Sequence, residues 1–122
     1  MEEIYRNEEL IEFVGGGKLI LDALIKRFEI YEQDYKVYIE LYFLSKDLAT
    51  KAERQFKVRF INVTEYEFYW NNTYRFYTVE RYKFFKSDKG FYISLDPADE
   101  SDEISDNDQD IIISKEIEGT FV

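Results

Sequence analysis

Apolar and polar residues alternate along several short segments of this chain, and this two-residue period constrains the fold more than any other feature. Phe56, Val58 and Phe60 are separated by Lys57 and Arg59, as expected for a strand with one buried and one solvent-facing side. Residues 35–44 show the same period, with apolar side chains at the odd positions. Such half-buried strands are typical of antiparallel sheets.

Seven segments are predicted as strands on such patterns, with turn signals between them. Residues 32–34 form a short polar link that predicts a hairpin, and residues 87–90, which end in glycine, predict a second one. Asn62 marks an expected bend, and the Asn71-Asn72 pair marks an expected turn. The predicted strands are residues 19–31, 35–44, 56–60, 65–70, 82–86, 91–95 and 111–117.

One short helix is predicted near the start of the chain. Asn7 is interpreted as its cap, and the glycines at 15–17 are interpreted as its stop signal. A helix of about two turns is marginal in isolation, so it must dock on an apolar surface. The expected docking face consists of Leu10, Phe13 and Val14.

The length and composition suit one folded domain. The chain has 122 residues, of which 45% are hydrophobic, so it can bury a core of its own. No alternation of strands with helices indicates parallel βαβ units. We therefore expect a mainly β fold, a single antiparallel β-sandwich or open barrel of about seven strands with one short N-terminal helix, in a single β-rich domain over residues 1–122.

The residue types exclude most catalytic chemistry. The chain contains no histidine and no cysteine, which excludes imidazole-based triads, thiol catalysis and the commonest zinc sites. Neither of the glycine-rich phosphate-binding patterns occurs, and the glycines at 15–17 follow the predicted helix instead of opening one. We expect a protein that is not an enzyme and that uses no cofactor.

Strand glutamates leave one catalytic alternative open. Glycoside hydrolysis needs only two carboxylates at a defined separation, and four glutamates lie on predicted strands. Basic residues nearby favour a simpler interpretation, in which the glutamates form cross-strand ion pairs on the solvent face. The glutamates are Glu40, Glu65, Glu67 and Glu80, and the cations are Lys57, Arg59, Arg81 and Lys83.

The formal net charge of −10 is concentrated in one segment. Residues 90–114 contain eight acidic residues and no lysine or arginine, which leaves a charge of only −2 for the rest of the chain. Such a field repels nucleic acids and anionic membranes and attracts basic proteins. The expected partner is therefore a basic protein, with no nucleic acid and no membrane. The acids are Asp96, Asp99, Glu100, Asp102, Glu103, Asp106, Asp108 and Asp110.

The spacing Asp106-x-Asp108-x-Asp110 imitates the start of an EF-hand calcium loop. Ile111 stands where that loop needs a glycine, and Ile117 stands where it needs a bidentate glutamate. A solvated acidic loop is the preferred interpretation over a weak calcium site, so no metal site is predicted.

Aromatic residues make up 19% of the chain. Beside basic residues, aromatic rings can form a stacking platform for single-stranded nucleic acid, but a β core also requires alternating aromatics and the net charge opposes a polyanion. Tyrosine is enriched at interfaces, so some tyrosines are predicted to be surface contacts, whereas a core position is favoured for Trp70. The predicted partner-binding residues are Asp99, Glu100, Asp102, Glu103, Asp106, Asp108, Tyr66, Tyr69 and Tyr74.

A cytoplasmic location is expected. The absence of cysteine fits a reducing compartment. Residues 1–7 include acids where a signal peptide has a basic and then an apolar run. No apolar stretch reaches the roughly 20 residues of a membrane-spanning helix.

Three segments resemble small bacterial immunity proteins of polymorphic toxin systems. They are E-L-I-E-F-V-G-G from Glu9, L-I-L-D-A-L-I from Leu19, and F-I-N-V-T-E-Y-E-F from Phe60. Asp22-Ala23 stands where the family has Asp-Ala, and Leu21 stands where it has histidine. The resemblance implies a non-enzymatic protein that binds and neutralises a cognate toxin, often a nuclease, in the cytosol of the producing bacterium.

Two other classes of function remain open at this stage. Aromatics and strand glutamates also suit a β domain that binds a sugar or another small ligand. An exposed strand edge would suit a structural or assembly subunit. The sequence is compatible with a monomer and with a homodimer.

Overall fold

Seven strands form one antiparallel sheet in the computed structural model, which describes residues 3–17, 19–46, 50–73 and 78–122. Along the chain, β1 is Tyr5–Arg6, α1 is Glu8–Gly17, β2 is Leu24–Gln33, β3 is Lys36–Lys46, β4 is Glu53–Glu67, β5 is Lys83–Ser87, β6 is Gly90–Asp96 and β7 is Gln109–Phe121. The strand order is β2-β3-β4-β7-β6-β5, and β1 pairs with β7. The expected mainly β, antiparallel class with one short helix is confirmed.

The two ends of this strand order are linked by backbone hydrogen bonds. Leu24 of β2 forms a β-bridge with Thr78. The N–H of Val79 donates to the carbonyl of Ala23 at 2.9 Å, and the N–H of Asp22 donates to the carbonyl of Val79 at 2.7 Å. Residues 78 and 79 lie just before β5, which is one edge of the sheet, and they bond to the start of β2, which is the other edge. The two edges are thus brought together at this end, as in an open barrel.

The main core lies on one face of the sheet, where the predicted alternation places it. The side chains of Ile39, Leu41 and Phe43 on β3 are fully buried, as are those of Phe56 and Phe60 on β4. Helix α1 covers this face with Leu10 and Val14, both fully buried. The predicted docking of the helix on the sheet is therefore confirmed.

The predicted strands 56–60 and 65–70 are one continuous strand, β4. Asn62 has the left-handed backbone conformation (φ 58°), and the register with β7 shifts between Val63 and Glu65. The expected bend is thus a β-bulge within the strand. Pairing continues across it, because β7 is long enough to pair with β4 on both sides of the bulge. Phe68 and Trp70 lie beyond the end of β4, and β1 is the seventh strand instead.

The helix ends at the predicted glycines, but they form its last turn and do not follow it, since α1 extends to Gly17. Its end is closed by the N–H of Leu19, which donates to the carbonyl of Val14 at 3.2 Å, a pattern typical of helix C-termini. Asn7 precedes the helix as predicted and its carbonyl accepts from Leu10, but its side chain accepts from the N–H of Ile117 on β7 at 3.0 Å. The cap residue thus ties the helix to the sheet.

Both predicted hairpins are confirmed, with shifted ends. The first joins β2 and β3 through Asp34 and Tyr35, which both have positive φ (54° and 65°), as in a type I′ turn. Tyr35 is therefore a turn residue with 98% of its surface exposed, not a strand residue. Residues 19–22, predicted as strand, form a turn before β2. In the described part of the chain, no helix is long and apolar enough to cross a membrane.

Gly119 of β7 faces the docked helix so closely that no side chain fits. A methyl group there would lie 2.6 Å from Cδ1 of Leu10 and 2.7 Å from Cζ of Phe56. We predict that Gly119→Ala lowers the free energy of unfolding by about 1 to 3 kcal/mol, because both neighbours are buried and must shift. Urea denaturation measures the change.

The matched control is Gly15→Ala within α1. No atom lies within 4 Å of a methyl group at Gly15, so this change should stabilise the protein by up to about 1 kcal/mol through helix propensity. Equal effects of the two substitutions would contradict the close packing of α1 on β7.

Candidate partner-binding surface

Residues 97–108 join β6 to β7, and we call them the acidic loop. The loop closes on the carboxylate of Asp108. Oδ2 of Asp108 accepts from the Tyr92 hydroxyl at 2.6 Å and from the N–H of Ser105 at 3.0 Å, and Oδ1 accepts from the N–H of Ala98 at 2.8 Å. One buried side chain therefore fixes both ends of the loop to the sheet.

Lys83 on β5 provides the countercharge for this carboxylate. Its side chain is only 1% exposed, and its Nζ lies 3.1 Å from Asp108 and 3.0 Å from Asp99. The same ammonium donates to the carbonyl of Glu103 at 2.7 Å. A buried cation is tolerated only when it is paired and hydrogen-bonded, and here all of its partners belong to the loop.

An apolar contact holds the middle of the acidic loop against the sheet. Ile104 packs on a small cluster of Tyr92, Ile111 and Ile113, which is separate from the main core. Tyr92 alternates along β6 with core residues, so this cluster lies on the opposite face of the sheet. The acidic loop therefore covers the outer face of β6 and β7.

The protonation states in this network follow from its contacts. Burial raises the pKa of Asp108, but hydrogen bonds from Tyr92, from two backbone N–H groups and from Lys83 outweigh burial and hold the pKa below its usual range. Burial lowers the pKa of Lys83, and hydrogen bonds to Asp99 and Asp108 reverse that effect and raise it. Burial and the bond to Asp108 raise the pKa of Tyr92. Carboxylate and ammonium are both charged at neutral pH.

The remaining predicted acids of the loop point into solvent. Glu100, Asp102, Glu103 and Asp106 are exposed, and in the described ranges their carboxylates form no ion pair. Asp99 is 57% exposed although it contacts Lys83, and hydrogen bonds from the hydroxyl and N–H of Ser101, aided by Lys83, lower its pKa to about 2. The loop thus exposes four acidic residues without an ion pair and a fifth, Asp99, that is engaged by Lys83 and Ser101.

Asp108 does not belong with these surface acids. Its side chain is fully buried, so its place is under the loop and not at a contact with a partner. Asp110 is also buried, and its carboxylate accepts from the N–H of Tyr69 at 2.9 Å. Among the described residues, no three acidic side chains lie together as metal ligands would.

The bond between Asp110 and Tyr69 brings a second predicted group beside the loop. The segment that follows β4 carries Tyr69, 56% exposed, and Trp70, 51% exposed. The favoured core position of Trp70 was therefore wrong. Tyr66 is 45% exposed and stands opposite the buried Ile112, on the core face of β4. Tyr74 lies outside the described residues.

The structure adds two acids that the sequence did not connect with the loop. Glu65 and Glu67 at the end of β4 stand opposite Ile113 and Ile111, so no cation stands opposite them on β7, and they share the outer face with the loop. We define the acidic–aromatic surface by Glu65, Glu67, Tyr69, Trp70, Asp99, Glu100, Asp102, Glu103 and Asp106. The pairing of β4 with β7 creates this grouping, and no pattern along the chain indicates it.

The predicted cross-strand ion pair exists at Glu40. Arg59 donates to Glu40 at 2.9 Å, and the hydroxyls of Tyr31 and Tyr42 donate at 2.7 and 2.9 Å, so both carboxylate oxygens are used. Burial opposes ionisation of Glu40, but these bonds prevail and lower its pKa. Burial and the bond to Glu40 raise the pKa of Tyr31 to about 12. In this ion pair both carboxylate oxygens of Glu40 are hydrogen-bonded, and the contacts link β2, β3 and β4.

Comparison of this chain with protein-family models, with curated proteins and with solved structures gave no match. The function is therefore inferred from the chemistry of the acidic–aromatic surface.

Replacement of Asp108 tests its role as the anchor of the loop. In Asp108→Asn the buried ammonium of Lys83 keeps only the exposed Asp99 as a charged partner. We predict a loss of about 3 to 5 kcal/mol in the free energy of unfolding, as for other broken buried pairs. Asp106→Asn, two residues away and exposed, should stay within about 0.5 kcal/mol of the wild type. Similar changes in the free energy of unfolding for the two variants would rule out Asp108 as the anchor of the loop.

The network also makes stability depend on pH. The pKa of Asp108 is lower in the folded protein than the roughly 3.9 of an unfolded aspartate, so its contribution is complete above about pH 5 and is lost as the pH falls. The pKa values of Lys83 and Tyr92 are raised, so their contributions are lost only above about pH 10. Urea denaturation across the acidic range should show a shallower loss for Asp108→Asn than for wild type. If stability fell in parallel with pH for the two proteins, the lowered pKa of Asp108 would be contradicted.

Proposed function

We propose that this protein binds a basic protein and neutralises it, in the way of the bacterial immunity proteins that its sequence resembles. The observation that supports this most is the closure of the acidic loop on Asp108, which leaves four further acids of the loop exposed and without an ion pair among the described residues: Glu100, Asp102, Glu103 and Asp106. A loop needed only for solubility does not require a buried anchor. Folding here commits one lysine, one aspartate and one tyrosine to holding it in place.

The charge of the surface suits a partner that normally holds an anion. A nuclease active site is basic because it must bind phosphates, so a fixed set of carboxylates can occupy it and exclude the nucleic acid. Long-range attraction also accelerates the encounter, which favours an inhibitor that must act quickly. In this proposal the toxin is the basic partner, and neutralisation takes place in the cytosol of the producing cell.

The fixed geometry bears on affinity as well as on charge. A loop that is ordered before binding loses less conformational entropy on association than a flexible acidic tail does. Exposed tyrosine and tryptophan beside the acids supply the residue types that dominate binding energy in protein interfaces. The N–H of Tyr69 bonds to Asp110, two residues after the loop, and Trp70 follows Tyr69 in sequence, so exposed aromatic residues adjoin a backbone position that is tied beside the loop.

A matched pair of variants tests the proposal. The first changes four loop acids, as Glu100→Gln, Asp102→Asn, Glu103→Gln and Asp106→Asn. The second changes four exposed acids elsewhere, as Glu9→Gln, Glu12→Gln, Glu53→Gln and Glu116→Gln. Both bring the formal net charge from −10 to −6, since each removes four negative charges.

Wild type and both variants are used to capture proteins from a lysate of the source bacterium, and association rates with the captured protein are measured. We predict a basic partner that inhibits growth when expressed alone and is neutralised by co-expression of wild type. At low salt the loop variant should associate at least about tenfold more slowly than the control variant, and the difference should shrink at high salt. Equal rates for the two variants would exclude the loop from binding.

A further inference from the structure

We infer that Tyr69 and Trp70 receive an arginine side chain of the basic partner, an assignment that rests on the proposed function. The two rings stand at the end of β4, and the carboxylates of Glu65 and Glu67 lie on the preceding strand residues. A guanidinium group stacks on an aromatic face and bonds a carboxylate with its edge at the same time. The site therefore selects arginine over lysine.

The exposure of these aromatics is concentrated, not scattered. Among the eight large hydrophobic residues that are exposed in the described part of the chain, Tyr69 and Trp70 are neighbours in sequence, whereas Tyr66 lies on the core face of β4 and does not share this surface. Single exposed apolar residues are ordinary, whereas a cluster rimmed by charges marks a contact surface. Tyr69 and Trp70 each keep more than half of their surface in solvent, although the strand they follow is paired up to Glu67.

The hydrogen bond to Asp110 fixes where this segment lies. The N–H of Tyr69 donates to a buried carboxylate at the start of β7, directly after the acidic loop. The backbone of this segment is thus tied to the start of β7, next to the acidic loop. An arginine drawn to the loop by its charge meets the aromatic segment within the same surface.

Other aromatic rings of this protein already have a cation of the chain above them. The guanidinium of Arg54 lies 3.8 Å from the ring centre of Phe121, and that of Arg27 lies 5.5 Å from the ring centre of Tyr42. Within the ranges that the structure describes, no lysine or arginine takes this position over Trp70. A guanidinium from outside would complete there the contact that the chain makes for itself elsewhere.

Two capped peptides of equal charge, hexa-arginine and hexa-lysine, are the probes. Trp70 is the only tryptophan of the chain, so its fluorescence reports binding at this place, and anisotropy of labelled peptides gives the affinity. We expect hexa-arginine to bind wild type about two- to fivefold more tightly than hexa-lysine and to change the Trp70 emission. The preference should disappear in Tyr69→Leu/Trp70→Leu and persist in Tyr35→Asn, which removes an exposed ring from the distant β2–β3 turn.

The possible outcomes separate this inference from the proposed function. Equal, salt-sensitive binding of the two peptides to wild type would overturn the arginine site and leave the acidic surface intact as a binding site. A preference for arginine that survives in the double leucine variant would also overturn it, because the selectivity would lie elsewhere. Failure of both peptides to bind wild type would count against the proposed function itself.

Discussion

The contact between the Lys83 ammonium and the Asp108 carboxylate is the constraint on which the outer half of the structure depends. Each group alone would be unstable in the position it occupies, since both are removed from solvent. Together, and with Tyr92 as a further donor, they turn the outer face of β5 and β6 into a seat for the acidic loop. The same acids left unanchored would repel one another into an extended, mobile segment.

The two faces of the sheet are stabilised by different means. The inner face buries aliphatic and phenyl side chains under α1, and its stability comes from the area removed from water. The outer face carries two polar clusters, the Lys83–Asp108 network and the Glu40–Arg59 pair, which Arg59 extends to Glu118 at 3.0 Å. Among the described residues, no buried polar side-chain atom lacks a hydrogen-bond partner. On the outer face, paired and hydrogen-bonded charges fix how neighbouring strands align. The inner face supplies most of the apolar burial.

Much of the fold could be predicted from the sequence because β-strands have a local signature. The alternation at Phe56, Val58 and Phe60 and the links before Lys36 and Gly90 indicate strands and hairpins without knowledge of distant contacts. The extension of α1 through the glycines could not be predicted in this way, because the helix is held by tertiary packing of Leu10 and Val14 in the main core. The joining of two predicted strands into β4 likewise depends on the length of its partner, β7.

The candidate site was only partly predictable, for the same reason. The acidic loop is visible as composition, but nothing in its sequence distinguishes the buried Asp108 from the exposed Asp106. The distinction comes from Lys83 and Tyr92, which lie 25 and 16 residues away along the chain. Glu65 and Glu67 join the surface through strand pairing alone. The sequence therefore indicates a charged segment. Which of its acids are exposed, and which residues of other strands lie beside it, depends on tertiary contacts.

Closure of the acidic loop by so few residues has a consequence for how such a protein can diversify. The contacts that hold the loop use the side chains of Lys83, Tyr92, Asp99 and Asp108 and the backbone of Ala98, Glu103 and Ser105. Glu100 and Asp102 take no part in them and are exposed, whereas Ser101 bonds to Asp99. Substitutions at Glu100 and Asp102 therefore change the charge of the surface at little cost to folding. The sheet and its anchor thus form a constant frame, and the exposed loop residues can vary in sequence while the fold is kept.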